Sequence, residues 1–390
     1  MKYADVASPV HPGHGPLRDL DRPADVLAHL GPNWFASVMG TGIVATAAAT
    51  LPVRWPGLRG FATVVWVLAA LWLITLTGAE ILRWIRQRTG VLGDARNPVM
   101  VQFYGAPPMA LLTVGAGALL LGPGLIGAHA AITIDAVLWI LGTLTGLASS
   151  LAVPYLMFTR QRAAPDAAFG GWLMPVVPPM VSAATGALLI PHLPAGQPRL
   201  TLLLACYAMF GISLIASVVV ITQLWQRLVR YSVGPAAMVP TLWIVLGPLG
   251  QSITAANLLG GEAPSVLPQP YGTAFNAFGV VFGVPVWGFA ALWAALAIAL
   301  TLRERLPFGL TWWSFTFPVG TCVTATSELA LHTGADAFRW AAPVLYVALV
   351  AAWAVVSVRT VHEAWRGRLF LPAPPQAGAA QAGAAQAGAA

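Results

Sequence analysis

The side chains able to make bonds or move protons are few, and their spacing argues against most chemistry. Lys2 is the single lysine among 20 basic residues, so there is no lysine for a phosphate-gripping loop and none to hold a chromophore as a Schiff base within a membrane. Cys206 and Cys322 both lie in apolar segments, where a thiol behaves as a small hydrophobe; they point to neither a disulfide framework nor a metal site. His129, His192 and His332 fall outside those segments, and the stretch 362–366, His-Glu-Ala-Trp-Arg, lacks the second histidine of a zinc helix. No metal or other cofactor is expected, and the three histidines read as solvated loop residues. Glu80, Asp135 and Glu328 lie near the ends of apolar segments, whereas cation carriers and proton relays place ionisable groups at depth. What remains inside is neutral: Ser37, Thr41, Thr46, Gln102, Thr113, Ser182, Thr185, Thr241, Gln251, Ser252, Thr254, Asn257, Ser314, Thr316, Thr321 and Thr324. Hydroxyls, amides and helix dipoles hold an anion weakly and release it quickly, which suits permeation rather than catalysis.

These groups can only be positioned by membrane-embedded helices. Of 390 residues 58% are hydrophobic and 8% charged, the mean hydropathy is +0.75, and a water-soluble surface cannot be built from that inventory. Ten spans are expected, at 34–51, 61–82, 98–121, 130–158, 172–190, 200–226, 238–259, 274–302, 310–331 and 341–361. The connections are too short for an extramembrane domain, so residues 32–365 form one membrane domain. Residues 1–31 lack the apolar core of a signal peptide and read as a retained cytoplasmic tail; residues 366–390, with QAGAA three times, read as a disordered tail.

The formal charge of +7 is scattered over short loops, which argues for topology and against a nucleic-acid surface. Fifteen Lys and Arg fall on the two tails and the even-numbered loops, among them Arg83, Arg86, Arg88, Arg96, Arg160, Arg162, Arg227, Arg230, Arg303 and Arg305, and Arg359 in the last turn of the tenth span makes 16 on that side, against 4 on the odd-numbered loops. Both termini should face the cytoplasm. The odd spans, counted from 34, 98, 172, 238 and 312, recur at roughly 70 residues, which reads as five helical hairpins in series. Nine prolines occupy odd spans (Pro98, Pro107, Pro108, Pro175, Pro178, Pro179, Pro240, Pro248, Pro318) and three occupy even ones (Pro154, Pro285, Pro343). A proline strands a helix carbonyl that lipid cannot satisfy, so the odd helices should be bent and inner, the even ones outer.

The opening segment, GPNWFASVMGTGIV at 31–44, resembles the first signature of the tellurite-resistance/dicarboxylate transporter family. Its members include the bacterial TehA type, fungal malate carriers and sulfite exporters, and plant slow anion channels. GAPPMALLTVG at 105–115, MPVVPPMVSAATG at 174–186, VPTLWIVLGPLGQS at 239–252 and WWSFTFPVG at 312–320 extend the resemblance in order. The resemblance implies an all-α polytopic fold of ten helices, five hairpins around a central pore, assembled as a homotrimer in the plasma membrane. It implies a non-enzymatic conduit for small anions, the substrates of the family being sulfite, malate and other dicarboxylates, tellurite-related species and inorganic anions, with export as the direction. The family's phenylalanine gate maps to Phe317, with Phe315 as the fallback. The expected pore lining is Ser37, Gly40, Thr41, Gly42, Pro107, Pro108, Pro178, Pro179, Pro248 and Pro318. A proton-coupled carrier using Glu328 stays open as the alternative, and a membrane enzyme or purely structural subunit as a remote one.

Overall fold

A computed structural model of the chain describes residues 16–20, 22, 25–160 and 163–371. Lys2, Arg162 and the QAGAA repeats lie outside the described residues. Among the described residues the secondary structure is entirely helical, and the molecule is a multi-pass membrane protein. Its long helices run as pairs: α1 (Phe35–Thr50) and α2 (Leu58–Arg86), α3 (Ala106–Leu121) and α4 (Ala128–Arg160), α5 (Pro178–Leu189) and α6 (Gln197–Tyr231), α7 (Leu246–Val266) and α8 (Tyr271–Arg303), α9 (Phe317–Thr333) and α10 (Asp336–Arg366).

The first helix of each pair is inner. α1 touches α3, α3 touches α5, α5 touches α7, α7 touches α9, and α9 returns to α1, so five helices close a ring. Each outer helix packs on its own inner partner and on the next inner helix, with α10 bridging α9 and α1. The apolar stretches of the outer helices are 22 to 33% buried, against 72 and 78% for those of α3 and α7 with their leading turns. An outer helix that leaves Val64, Leu71, Ile74 or Ile215 exposed needs lipid around it. The inner helices are apolar and small-residued all round, the pattern of a helix surrounded by protein.

Each inner helix is preceded by a 3-10 segment: Pro32–Trp34, Met100–Gly105, Gly170–Leu173, Ala236–Val245 and Leu310–Phe315. The α-helical parts then begin at 35, 106, 178, 246 and 317, at intervals of 71, 72, 68 and 71 residues, a tighter repeat than the sequence boundaries give. This corrects the expected role of the prolines. Pro107 and Pro108, Pro178 and Pro179, and Pro318 stand at the first positions of their α-helices, at the junctions with the 3-10 segments and not in α-helix interiors. Prolines in α-helix interiors are instead Pro154, Pro285 and Pro343 of the outer helices, with Pro264 near the end of α7.

Length alone does not carry all ten expected spans. Among the described residues seven helices are long and apolar enough to cross a membrane; α1, α5 and α9, at 16, 12 and 17 residues, are shorter than a lone spanning helix. Like α3 and α7 they follow a 3-10 segment, and they sit in the same ring.

Close approach within the ring depends on missing side chains. A Cβ at Gly42 would lie 2.7 Å from Thr113 Cγ2 and one at Gly250 would lie 2.5 Å from the Thr321 carbonyl carbon, so neither pair of helices could pack as it does with alanine there. Indole N–H groups tie outer helices to inner ones: Trp72 donates to Ser37 Oγ at 2.7 Å, Trp139 to the Ser182 carbonyl at 2.9 Å, Trp293 to the Leu242 carbonyl at 2.9 Å, and Trp353 to Thr41 Oγ1 at 3.1 Å. In an apolar surround such a donor needs a partner, and each bond fixes one helix against the next.

At the end of the ring where the inner helices begin, the described flanking segments are fastened down. Leu17 N–H donates to the Trp365 carbonyl at 2.7 Å, Arg368 Nε pairs with Asp19 Oδ2 at 2.8 Å, and the Phe370 ring stacks on Trp34 at 5.0 Å. The packed region therefore reaches past 32–365 at both ends, to Leu17 and Phe370. Most of the basic belt is exposed here, but Arg83 is 2% exposed and bonded to Asp94 at 2.5 Å, Glu80 at 3.6 Å and the Ala28 carbonyl at 3.3 Å. Arg227 is buried too. These two are structural residues rather than members of a solvated belt.

Candidate conduction pathway

Two cavities lie on the axis of the ring, and all five inner rods line both. The first, of about 30 Å³, is lined by Ala36 and Met39 of α1, Phe103 and Met109, Met174 and Val177, Ile244, Gly247 and Pro248, and Trp313, Ser314, Phe317 and Pro318. The second, of about 60 Å³, is lined by Ile43, Thr46 and Thr50, Thr113, Ala116 and Leu120, Val181, Ala184, Thr185 and Leu188, Gln251, Thr254 and Leu258, and Thr324 and Glu328. On every rod the residues of the second follow those of the first along the chain, so the cavities are stacked layers of one path between five parallel helices. Each holds at most a few waters.

The layers differ in chemistry. Methionine, phenylalanine and aliphatic side chains make the first layer dry, and the Phe317 side chain is only 3% exposed. A narrow apolar layer of this kind stops ions by dewetting. The second layer carries hydroxyls. Thr254 and Thr324 share a hydrogen bond of 2.9 Å, Thr113 donates to the Met109 carbonyl at 2.7 Å, and Thr185 to the Val181 carbonyl at 2.8 Å. The amide oxygen of Gln251 is buried without a partner. A threonine can turn its proton from a carbonyl of its own helix toward an ion, giving up one bond for another, so such a layer binds weakly.

The expected site residues divide sharply. Phe317, Pro318 and Pro248 line the first cavity, and Glu328 lines the second. Phe315 lies outside both, edge-on to Trp243 at 5.3 Å and Trp312 at 5.7 Å. Ser37 donates to the Trp34 carbonyl and accepts from Trp72, and Thr41 accepts from Trp353, so both face outer helices. Gly40 abuts Trp313 and Thr316, and Gly42 abuts Thr113. Pro107 and Pro108 line a separate groove of about 620 Å³ among α2, α3 and α4, Pro178 packs on Gly146 of α4, and Pro179 is buried without lining either cavity. These seven residues and Pro179 contact neighbouring helices and are absent from the lining of both axial cavities.

Three ionisable groups are placed differently from the sequence reading. Glu328 is 5% exposed and is, among the described residues, the one charged side chain lining either cavity. His332 lies in the last turn of α9 and not in a loop. Asp135, near a span end in the sequence, is fully buried behind the path against Gly115 of α3.

The lining residues missed by sequence reasoning are chiefly apolar, such as Met39, Phe103, Met109 and Ile244, and helices apolar on every side give no periodicity to find them by. The threonines did leave a signal. Thr113, Thr185 and Thr324 each fall seven residues after the start of their α-helices, and Thr254 falls eight after; alignment of the repeats exposes a threonine layer.

The chain matches the family model described as SLAC1, voltage-dependent anion channel, over residues 29–361. It is 28% identical to an uncharacterized transporter of Methanocaldococcus jannaschii, over 91% of this chain and 99% of that protein. It is 28% identical to a sulfite efflux pump of Arthroderma otae, over 88% and 93% of the two chains, and 21% identical to a putative malic acid transport protein of Schizosaccharomyces pombe, over 90% and 83%. The closed ring of five mostly neutral inner helices, repeated in step along the chain, and the match over nearly its whole membrane region carry one conclusion: the chain belongs to the SLAC1 voltage-dependent anion channel family of anion transporters and channels.

Proposed function

We propose that the protein conducts small anions along the axis of the inner ring and that Phe317 closes the path. The supporting observation is the two-layer lining, in which Phe317 lines a small apolar cavity and a threonine layer follows it. An ion held by hydroxyls alone has no deep well to leave, which favours rapid passage. Rotation of one ring beside the Pro318 position would open the constriction without moving a helix. Sulfite and malate, which the named relatives carry, together with nitrate and chloride, form the substrate panel, and export is the proposed direction.

In this reading all ten long helices cross the plasma membrane, the three short inner ones through their combined 3-10 and α rods. The end bearing Arg86, Arg88 and Arg96 faces the cytoplasm with both termini. The transport domain is residues 32–365, flanked by cytoplasmic segments 1–31 and 366–390, and three copies assemble, each with its own path. The activity is transport, with no bond made or broken.

A second reading, obligatory proton coupling through Glu328, is favoured by the presence of that carboxyl in the lining. Purified protein in liposomes separates the two. Anion flux driven by voltage alone, at equal pH on both sides, is the result expected of a conduit. Flux that appears only with a proton gradient would establish the carrier reading, and no flux of any anion in the panel would overturn both.

A further inference from the structure

The second cavity ends at a pair of titratable groups that conduction through hydroxyls does not explain. His332 stands one helical turn beyond Glu328, its Nδ1 at 2.9 Å from the Glu328 carbonyl oxygen and 3.7 Å from Glu328 Oε2. The carboxyl belongs to the cavity lining, and the imidazole, about one-fifth exposed, caps it toward solvent with Nε2 facing Gly261 of α7.

We propose that Glu328 and His332 together set the charge of the outer layer and so determine which ions pass: a proton on either group admits monoanions, and the bare carboxylate repels them. The inference rests on the anion-conduction reading and adds to it a specificity-determining pair. The cavity is only about 60 Å³, so an ion crossing it passes within a few ångströms of the carboxyl, where little water screens the two charges. Three states matter. A neutral acid beside a neutral imidazole has no net charge and offers an O–H donor to an oxyanion; a carboxylate beside an imidazolium also sums to zero; a carboxylate beside a neutral imidazole leaves one negative charge in the path of an anion. Acid populates the first two states, alkali the third. Flux should therefore rise as pH falls.

Charged groups on the neighbouring elements do not supply a substitute for His332. α1 presents Thr46 and Thr50 to this cavity, and Arg54 beyond it is exposed. On α7 the nearest charge is Glu262, whose own charge neighbours are Arg199 and His192. α8 begins with Tyr271 and carries no charged residue before Arg303, and Asp336 and Arg339 in the first turn of α10 are exposed.

The test is voltage-driven nitrate flux in proteoliposomes at equal pH on both sides, stepped from about pH 8 to about pH 5, the interval in which an imidazole titrates. The parent is expected to gain about tenfold across it, the scale of removing one like charge from a poorly screened path. Glu328→Gln should be fast and flat with pH, about tenfold above the parent at the alkaline end. His332→Asn should keep the rise but displace it to lower pH, because the carboxyl must then take the proton itself. His332→Arg, which fixes a cation beside an intact Glu328, should also be fast and flat, and it gives a second route to the answer if the Gln variant fails to assemble. A pH-independent parent, or variants that follow the parent's curve, would overturn the proposal while leaving anion conduction standing. Absence of nitrate and all other anion flux in the parent at every pH would overturn the conduction reading and the proposal with it.

Discussion

At the scale of single residues, the chemistry of the path is carried by side chains whose type was legible but whose direction was not. Thr113, Thr185, Thr254 and Thr324 stand among the neutral polar residues of the apolar segments, yet nothing in a helix apolar on all sides says which face meets the axis. Ser37 and Thr41 share that composition and turn outward to Trp72 and Trp353. Phe317 and Phe315 were separable only by family resemblance, since two aromatics two residues apart look alike in composition; the fold puts the first against the axis and the second among tryptophans. Glu328 and His332 are four residues apart, the spacing that stacks side chains on one helical face, and the pair was obscured by ending the ninth span at residue 331. Thr324→Val should cost about 0.5–1.5 kcal/mol of stability through its lost bond to Thr254. It should also slow anion flux by about threefold to tenfold, the worth of one hydroxyl-to-anion hydrogen bond. Thermal unfolding in detergent and liposome flux measure the two effects separately, and unchanged flux would reduce the threonine layer to a packing feature.

At the scale of helices, the hairpin repeat and the inner and outer assignment were readable because composition alternates with them. Basic residues gather on one set of loops and prolines on one set of helices, and both regularities survive errors of several residues at each boundary. The 3-10 segments were not readable, because no residue type marks the change from 3-10 to α within a continuous apolar run. That junction alters what the prolines mean. Pro107→Ala, at the start of α3, should change stability by less than about 1 kcal/mol, since no interior hydrogen bond is restored. A gain or loss of several kcal/mol in thermal unfolding would show that the ring strains or braces the junction. Gly42→Leu is expected to behave differently. Its side chain would enter the contact with Thr113, and overpacking of this kind costs about 1–3 kcal/mol. The expected readout is a lower unfolding temperature and weaker recovery of folded protein, whereas a stable variant with blocked flux would return Gly42 to the lining.

At the scale of the whole molecule, the proposed orientation rests on charge bias and the proposed path on closure of the ring. A cysteine at position 88, introduced as Arg88→Cys, should react with an impermeant thiol reagent from the cytoplasm only, and one introduced as Arg54→Cys from outside only. The reverse pattern would invert the path and put the apolar layer on the outer side. Neither result bears on whether that layer is the closure. Repeat and membrane class follow from amounts of apolar, basic and proline residues along the chain, but the proposed closure follows from which side chains line the first cavity, and that lining exists only in the folded ring. The most direct measurement is the single-channel or macroscopic anion conductance of reconstituted Phe317→Ala beside the parent and Phe315→Ala, with assembly checked for each. The expected result is a large rise in basal conductance for Phe317→Ala with assembly retained and little change for Phe315→Ala. A Phe317→Ala protein that assembles normally and conducts no more than the parent would contradict closure at this ring.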